Sequence, residues 1–124
     1  MPGKALLVGH CGLDSPRIER VLRAVGCEDV GNVQSVDEAM ETLRGDRYRL
    51  VVGNRVLGAD REGGLHLVEA MQAGPQTREV PVLVLSAYEE TQQAVAAAGG
   101  EPGFGKDALE TDVARERFAP YFAD

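Results

Sequence analysis

Three residues on one short segment have side chains that could bind a metal ion: His10, Cys11 and Asp14. Structural zinc sites use four such ligands at recognisable spacings. The sequence shows no fourth ligand at such a spacing, and the second cysteine, Cys27, lies in no CxxC pattern. We therefore expect no metal site, and we interpret His10 as a solvated histidine and Cys11 as a half-buried free thiol.

Three further polar residues, Asn54, Ser86 and Lys106, each follow a stretch that could form a strand. A lysine ammonium and a serine hydroxyl could together hold an anion. The plainer interpretation is that Ser86 and Lys106 hydrogen-bond Asn54 and neighbouring backbone at the strand ends. No nucleophile, base and orienting group stand in plausible relation, so we expect neither an enzyme nor a bound cofactor.

Apolar runs suited to buried strands alternate along the chain with longer stretches of helical spacing. The predicted strands are residues 5–8, the region of Val30 and Val33, and residues 50–52, 82–85 and 103–105. The last strand is weak, because Phe104 is its single good strand former. The predicted helices carry apolar residues on one face, namely Ile18, Val21 and Leu22; Ala39, Met40 and Leu43; Leu65, Val68 and Met71; the alanines of 88–98; and Leu109 and Val113 in a helix beginning near Asp107.

Polar residues mark the starts of two of these helices. Ser15 followed by Pro16 predicts a capped first turn, because serine accepts from free helix amides and proline presets φ. Ser35 and Glu38 stand three residues apart, as in a capping box. Both signals predict where a helix begins.

Five strand–helix units in 124 residues predict one domain, residues 1–124. The expected α/β fold is flavodoxin-like: a doubly wound five-stranded parallel sheet of order 2-1-3-4-5 with helices on both faces. Ligands of such sheets bind outside the carboxyl ends of the strands. At those ends lie Gly9, His10, Asn54, Ser86 and Lys106.

The charge balance excludes several kinds of partner. With 20 acidic and 13 basic residues, a net charge of −7, the surface should repel nucleic acid and anionic lipid. The longest apolar stretches are far shorter than the roughly 20 residues of a membrane helix. The amino terminus lacks the apolar stretch and cleavage site of an export signal. We expect a cytoplasmic protein that binds neither nucleic acid nor membrane.

The order of these elements resembles the CheY-like receiver domain of two-component response regulators, from Lys4 to about Phe118. Its most specific parts are residues 81–87, the pair Ala98 and Gly99, and Lys106. In that family an acidic pair after the first strand holds Mg²⁺, and an aspartate after the third strand accepts a phosphoryl group. A serine or threonine and a lysine contact that group.

The resemblance places Gly9 and His10 at the acidic pair and Asn54 at the phosphoacceptor aspartate, whereas Ser86 and Lys106 match the family. Mg²⁺ prefers anionic oxygen ligands, which neither Gly9 nor His10 supplies. The amide of Asn54 cannot form an acyl phosphate. These departures resemble degenerate or pseudo-receiver members, in which regulation does not pass through aspartyl phosphate.

A further departure concerns the fifth strand, where the family usually carries a switch aromatic three places before the lysine. That position is Gly103, and Phe104 beside it should point to the other sheet face. The loop after Asn54 also looks about two residues longer than usual. An active phosphoacceptor elsewhere, such as Asp60 in that loop, is a third and less favoured alternative, and an independent enzyme is less favoured still.

Two functions of different classes follow. The first is a phosphorelay-type signalling domain that is not phosphorylated on aspartate and acts through protein–protein interaction by helices four and five. The second is a small-molecule, anion or metal sensor. Its altered pocket would comprise His10, Cys11, Asp14, Asn54, Ser86 and Lys106.

Half of the six aromatic residues lie together at the carboxyl terminus: Phe118, Tyr121 and Phe122. They could fold back on the core. If they were exposed instead, they would form a contact surface for a partner or for a homodimer. The sequence leaves both alternatives open.

Overall fold

A computed structural model of the chain describes residues 3–55 and 63–123. Within these ranges, four strands form a parallel sheet of order β2-β1-β3-β4. They are β1 (Gly3–Val8), β2 (Cys27–Val33), β3 (Leu50–Asn54) and β4 (Val82–Leu85). The described α-helices are α1 (Asp14–Ala24), α2 (Val36–Gly45), α3 (Gly63–Ala73), α4 (Glu89–Ala97) and α5 (Asp112–Phe122).

Helices cover both faces of this sheet, as the sequence predicts. Successive side chains of a strand point to opposite faces. Leu7 therefore packs with residues of α1 and α5, including Leu22 and Phe118. Leu6 packs on the other face with residues of α2, α3 and α4, including Leu67. All of these side chains are fully buried, so the central strands are covered on both sides.

The predicted fifth strand, residues 103–105, does not form in the described part of the chain. The segment that contains it lies beside β4 and makes two flanking backbone bonds. The Glu101 N–H donates to the Val82 carbonyl at 2.8 Å, and the Ser86 N–H donates to the Phe104 carbonyl at 2.9 Å. Between them, Pro102 has no N–H to offer and glycine weakens a strand. The predicted order 2-1-3-4-5 is therefore wrong for the fifth strand, and the described sheet has the order β2-β1-β3-β4.

One of the two predicted helix caps is confirmed. The Glu38 N–H donates to Ser35 Oγ at 3.1 Å, as expected for a capping box. The cap predicted at Ser15 is wrong, because Ser15 is the second residue of α1 and Leu13 is the N-cap. Instead, Ser15 Oγ donates to the Asn32 side-chain oxygen at 3.1 Å, which links α1 to β2.

The last helix begins five residues later than predicted, at Asp112, after a single 3₁₀ turn over Lys106–Ala108. Leu109 is buried as expected, but Val113 is 43% exposed and does not belong to the core. None of the helices in residues 3–55 and 63–123 is long and apolar enough to cross a membrane.

The aromatic residues of α5 fold back on the core. Phe118 and Phe122 are buried, and Tyr121 packs against the same cluster. The Phe118 ring meets Phe104 edge to face, with ring centroids 5.4 Å apart. The alternative of an exposed aromatic surface for a partner or a homodimer is therefore wrong for Phe118 and Phe122.

Candidate functional site

A cleft of about 370 Å³ opens at the carboxyl edge of the sheet. Asn54 ends β3, Ser86 follows β4, and Lys106 begins the 3₁₀ turn, so three different connections meet here. Arg55 and Tyr88 line the same cleft. The structure thus brings together Asn54, Ser86 and Lys106, the three polar residues that the sequence predicts at strand ends.

The side-chain amide of Asn54 is bonded through both of its ends. Its Nδ2 donates to the Gly9 carbonyl at 3.1 Å, and its Oδ1 accepts from the Arg55 N–H at 3.0 Å. Gly9 has φ 76°, a conformation that favours glycine. A carboxylate accepts hydrogen bonds but donates none. An ionised aspartate would therefore face the Gly9 carbonyl without a proton between them.

His10 turns into the sheet and does not line the cleft, with only 2% of its surface exposed. A carbonyl only accepts, so the 2.9 Å contact between Nε2 and the Val52 carbonyl puts the ring proton on Nε2. Nδ1 is buried without a partner among the described residues. Burial lowers the pKa of His10 from 6.5 to about 4. His10 is therefore neutral at pH 7, and its interpretation as a solvated histidine is wrong.

Lys106 does not bond Asn54; it pairs with Asp14 at the start of α1. Its Nζ donates to the Asp14 carboxylate at 2.6 Å. Arg17 also bonds Asp14, at 3.3 Å, and binds the Glu110 carboxylate through two bonds of 2.8 and 2.7 Å. The Lys106 ammonium holds the pKa of Asp14 below its usual value. This ion-pair network joins α1 to the segment between the 3₁₀ turn and α5.

Sequence reasoning missed Arg17 and Glu110 as members of this network. They lie 93 positions apart, so their contact leaves no local pattern in the sequence. It also missed Arg55 and Tyr88, whose guanidinium carbon and ring centroid are 4.9 Å apart. The only available signal for these two was their position within two residues of a polar strand end.

Ser86 acts locally in the described structure. Its Oγ accepts from the Tyr88 N–H at 3.1 Å, just before α4 begins. Its backbone N–H bonds the Phe104 carbonyl. These two bonds agree with the prediction that Ser86 bonds neighbouring backbone at the end of its strand. The bond from Ser86 or Lys106 to Asn54 that the sequence suggests does not occur among the described hydrogen bonds.

The remaining predicted pocket residues do not make a metal site. Cys11 is exposed, so its interpretation as half-buried is wrong. The described residues contain no group of three His, Cys, Asp or Glu side chains that could hold a metal ion. Gly9 and His10, the residues expected from the resemblance at a Mg²⁺ position, do not fit that ion either, because Gly9 has no side chain and His10 is turned inward. Asp60 lies outside the described residues.

No protein-family model and no curated protein matches the sequence of this chain. Solved structures do match it. A candidate response regulator from Chloroflexus aurantiacus J-10-fl is 21% identical, with a TM-score of 0.85 and full coverage of both chains.

Two further matches have the same architecture. The chemotaxis response regulator CheY4 of Vibrio cholerae is 19% identical, with a TM-score of 0.72 and coverage of 93% of this chain and 98% of its own. The receiver domain of a Pseudomonas aeruginosa sensor histidine kinase, solved with magnesium in its active-site cleft, is 20% identical, with a TM-score of 0.77 and 98% coverage of both chains. The chain therefore has the CheY-like fold of response-regulator receiver domains.

Proposed function

We propose that this chain is a receiver-type signalling domain that binds a protein partner and is not phosphorylated on aspartate. The observation that carries the proposal is the Asn54 amide at the end of β3. It donates to the Gly9 carbonyl and accepts from the Arg55 N–H. A group bonded in this way is a neutral structural link between strand ends, and it has no nucleophilic oxygen.

The pairing of Lys106 supports the same proposal. In the resembled family this lysine contacts the phosphoryl group, whereas here its ammonium bonds Asp14 at 2.6 Å. Arg17 bonds the same carboxylate. The positive charge of Lys106 is therefore compensated without a phosphoryl group.

The proposed partner surface consists of α4 and α5 without Phe118 and Phe122. Phe118 and Phe122 are buried and cannot contact a partner. The exposed residues that α4 offers include Glu89, Glu90 and Gln93. A partner that binds there meets a polar and acidic helix face.

Treatment with Mg²⁺ and acetyl phosphate tests the absence of phosphorylation. A phosphorylatable receiver domain treated in parallel is the positive control, and intact-mass spectrometry is the measurement. We expect an adduct on the control and none on this chain. A phosphoryl adduct on this chain, at any residue, would overturn the proposal.

The proposed partner surface needs a separate experiment. The chain with a photo-crosslinker at Gln93, on the exposed side of α4, should capture a protein from its own cells equally well before and after acetyl phosphate treatment. The doubly substituted variant E89K/E90K should lose the captured protein. Capture that depends on phosphate, or that the charge reversal leaves unchanged, would contradict the proposal.

The cleft itself favours one alternative function, an anion or small-molecule sensor. It has room for a ligand, and two cationic side chains, Arg55 and Lys106, line it. Ligands that bind only the folded state raise its melting temperature. A thermal-shift screen with phosphate, sulfate and carboxylates would support this alternative if a shift disappears in the R55A variant, and would count against it if saturating anion gives no shift.

A further inference from the structure

The side chain of Gln92, on α4, hydrogen-bonds backbone groups at the end of β4 and in the segment that lies beside β4. Its Nε2 donates to the Val84 carbonyl at 2.9 Å and to the Ser86 carbonyl at 3.0 Å. Its Oε1 accepts from the Gly103 N–H at 2.9 Å. One side-chain amide therefore connects α4, the end of β4 and the segment that leads to Lys106.

The backbone bonds around Gln92 show why such a connection is needed. In regular parallel pairing, bonds recur at even steps of two residues on each strand. The N–H of Glu101 bonds Val82, so the regular partner of the Ser86 N–H would be the Gly103 carbonyl. The observed partner is Phe104, one residue further on. The segment contains one extra residue, as in a β-bulge.

The Gln92 amide satisfies the groups that this extra residue leaves unpaired. The Val84 carbonyl and the Gly103 N–H would bond each other in a regular ladder, and both bond Gln92 instead. A Cβ atom at Gly103 would lie 2.2 Å from the Val84 carbonyl oxygen and 3.0 Å from the Gln92 amide. Only glycine fits there, which explains why no aromatic side chain can occupy this position.

We propose that Gln92 is a positioning residue that couples α4 to the cleft by holding this bulge. The extra residue advances the chain that follows it by one position relative to β4, and that chain leads directly to Lys106 at the start of the 3₁₀ turn. Lys106 follows Gly103 by three positions, and its ammonium bonds Asp14 on α1. The conformation held by Gln92 therefore directs Lys106 towards Asp14. A change in α4 reaches the cleft through this amide.

This inference concerns the helix used in the proposed function, but its test needs neither a partner nor phosphate. The two can therefore fail separately. The test compares Q92A, which removes all three bonds, with Q92E, which keeps the length of the side chain but cannot donate to the two carbonyls. The matched control is Q93A, because Gln93 is exposed and its described bond is one of 3.5 Å to Glu89.

Two measurements by NMR report on the coupling. The first is the titration of the Asp14 carboxyl, which the Lys106 ammonium holds below its usual pKa. The second is amide hydrogen exchange at Gly103 and Ser86. In Q92A and Q92E we expect the Asp14 pKa to rise towards its ordinary value. Exchange should be about tenfold faster, the factor that corresponds to one hydrogen bond.

The Q93A variant should match the wild type in both measurements. An unchanged Asp14 titration in a folded Gln92 variant would overturn the proposal, because a merely structural role could alter exchange but not the charge environment of α1. If Q92A fails to fold, Q92E decides. Unfolding of Q92E as well would also count against a positioning role, which requires a folded protein with an altered cleft.

Discussion

His10 should make this protein less stable in mild acid than at neutral pH. Its imidazole is buried, and burial lowers its pKa from 6.5 to about 4, with a smaller contribution from the Lys106 ammonium. The informative change is H10Q. Glutamine can donate the same hydrogen bond to the Val52 carbonyl as His10 Nε2 does, but it does not titrate.

The sign follows from which state binds the proton first. The unfolded imidazole takes up a proton near pH 6.5, whereas the folded one does so only near pH 4. The free energy of unfolding therefore falls as the pH is lowered from about 6.5, and this contribution stops changing below about 4. The difference between the two pKa values corresponds to about 3 kcal/mol, of which about 2 kcal/mol is lost by pH 5.

Urea unfolding followed by circular dichroism between pH 8 and pH 5 measures this loss. Over that range the wild type should lose about 2 kcal/mol more than H10Q. The matched control is H66Q, which removes the other histidine and keeps His10. H66Q, like the wild type, should lose about 2 kcal/mol more free energy of unfolding than H10Q. The Lys106 and Arg17 side chains lower the pKa values of Asp14 and Glu110, and the wild type, H10Q and H66Q share both ion pairs.

Parallel pH profiles for the wild type and H10Q would refute this reasoning. They would mean that the His10 ring takes up its proton equally well in the folded and unfolded chains. The ring would then be hydrated, and it could reach the cleft. The description of this position as a buried structural contact, which replaces the acidic residue of the resembled family, would fail with it.

Two further changes test the strand ends. N54D should lower the free energy of unfolding by about 2 kcal/mol at pH 8, because an ionised carboxyl cannot donate to the Gly9 carbonyl. This loss should shrink near pH 4, where the carboxyl regains a proton. Urea unfolding measures both effects, and equal stability of N54D and the wild type at pH 8 would contradict the hydrogen-bond assignment. G103A should cost about 2 kcal/mol or more, since its methyl group meets a backbone oxygen of β4. G12A, where a Cβ meets nothing within 4 Å, should stay within about 0.5 kcal/mol of the wild type, and a similar cost for both variants would contradict the close packing at Gly103.

The four described strands, the helices on both faces and the capping box at Ser35 were predictable from the sequence. Each depends on local patterns: runs of apolar residues, helical spacing, or two side chains three positions apart. The meeting of Asn54, Ser86 and Lys106 at one edge was predictable as well. The carboxyl ends of parallel strands share an edge whatever their loops contain.

Only the tertiary structure decided what these side chains bond. Lys106 pairs with Asp14 across 92 positions of sequence, and His10 turns from the edge into the sheet towards Val52. Where the fifth strand was predicted, Gln92, on a different element, bonds the backbone groups that a regular strand would pair. Such contacts depend on where whole elements pack, and no residue type or spacing along the chain encodes them by itself.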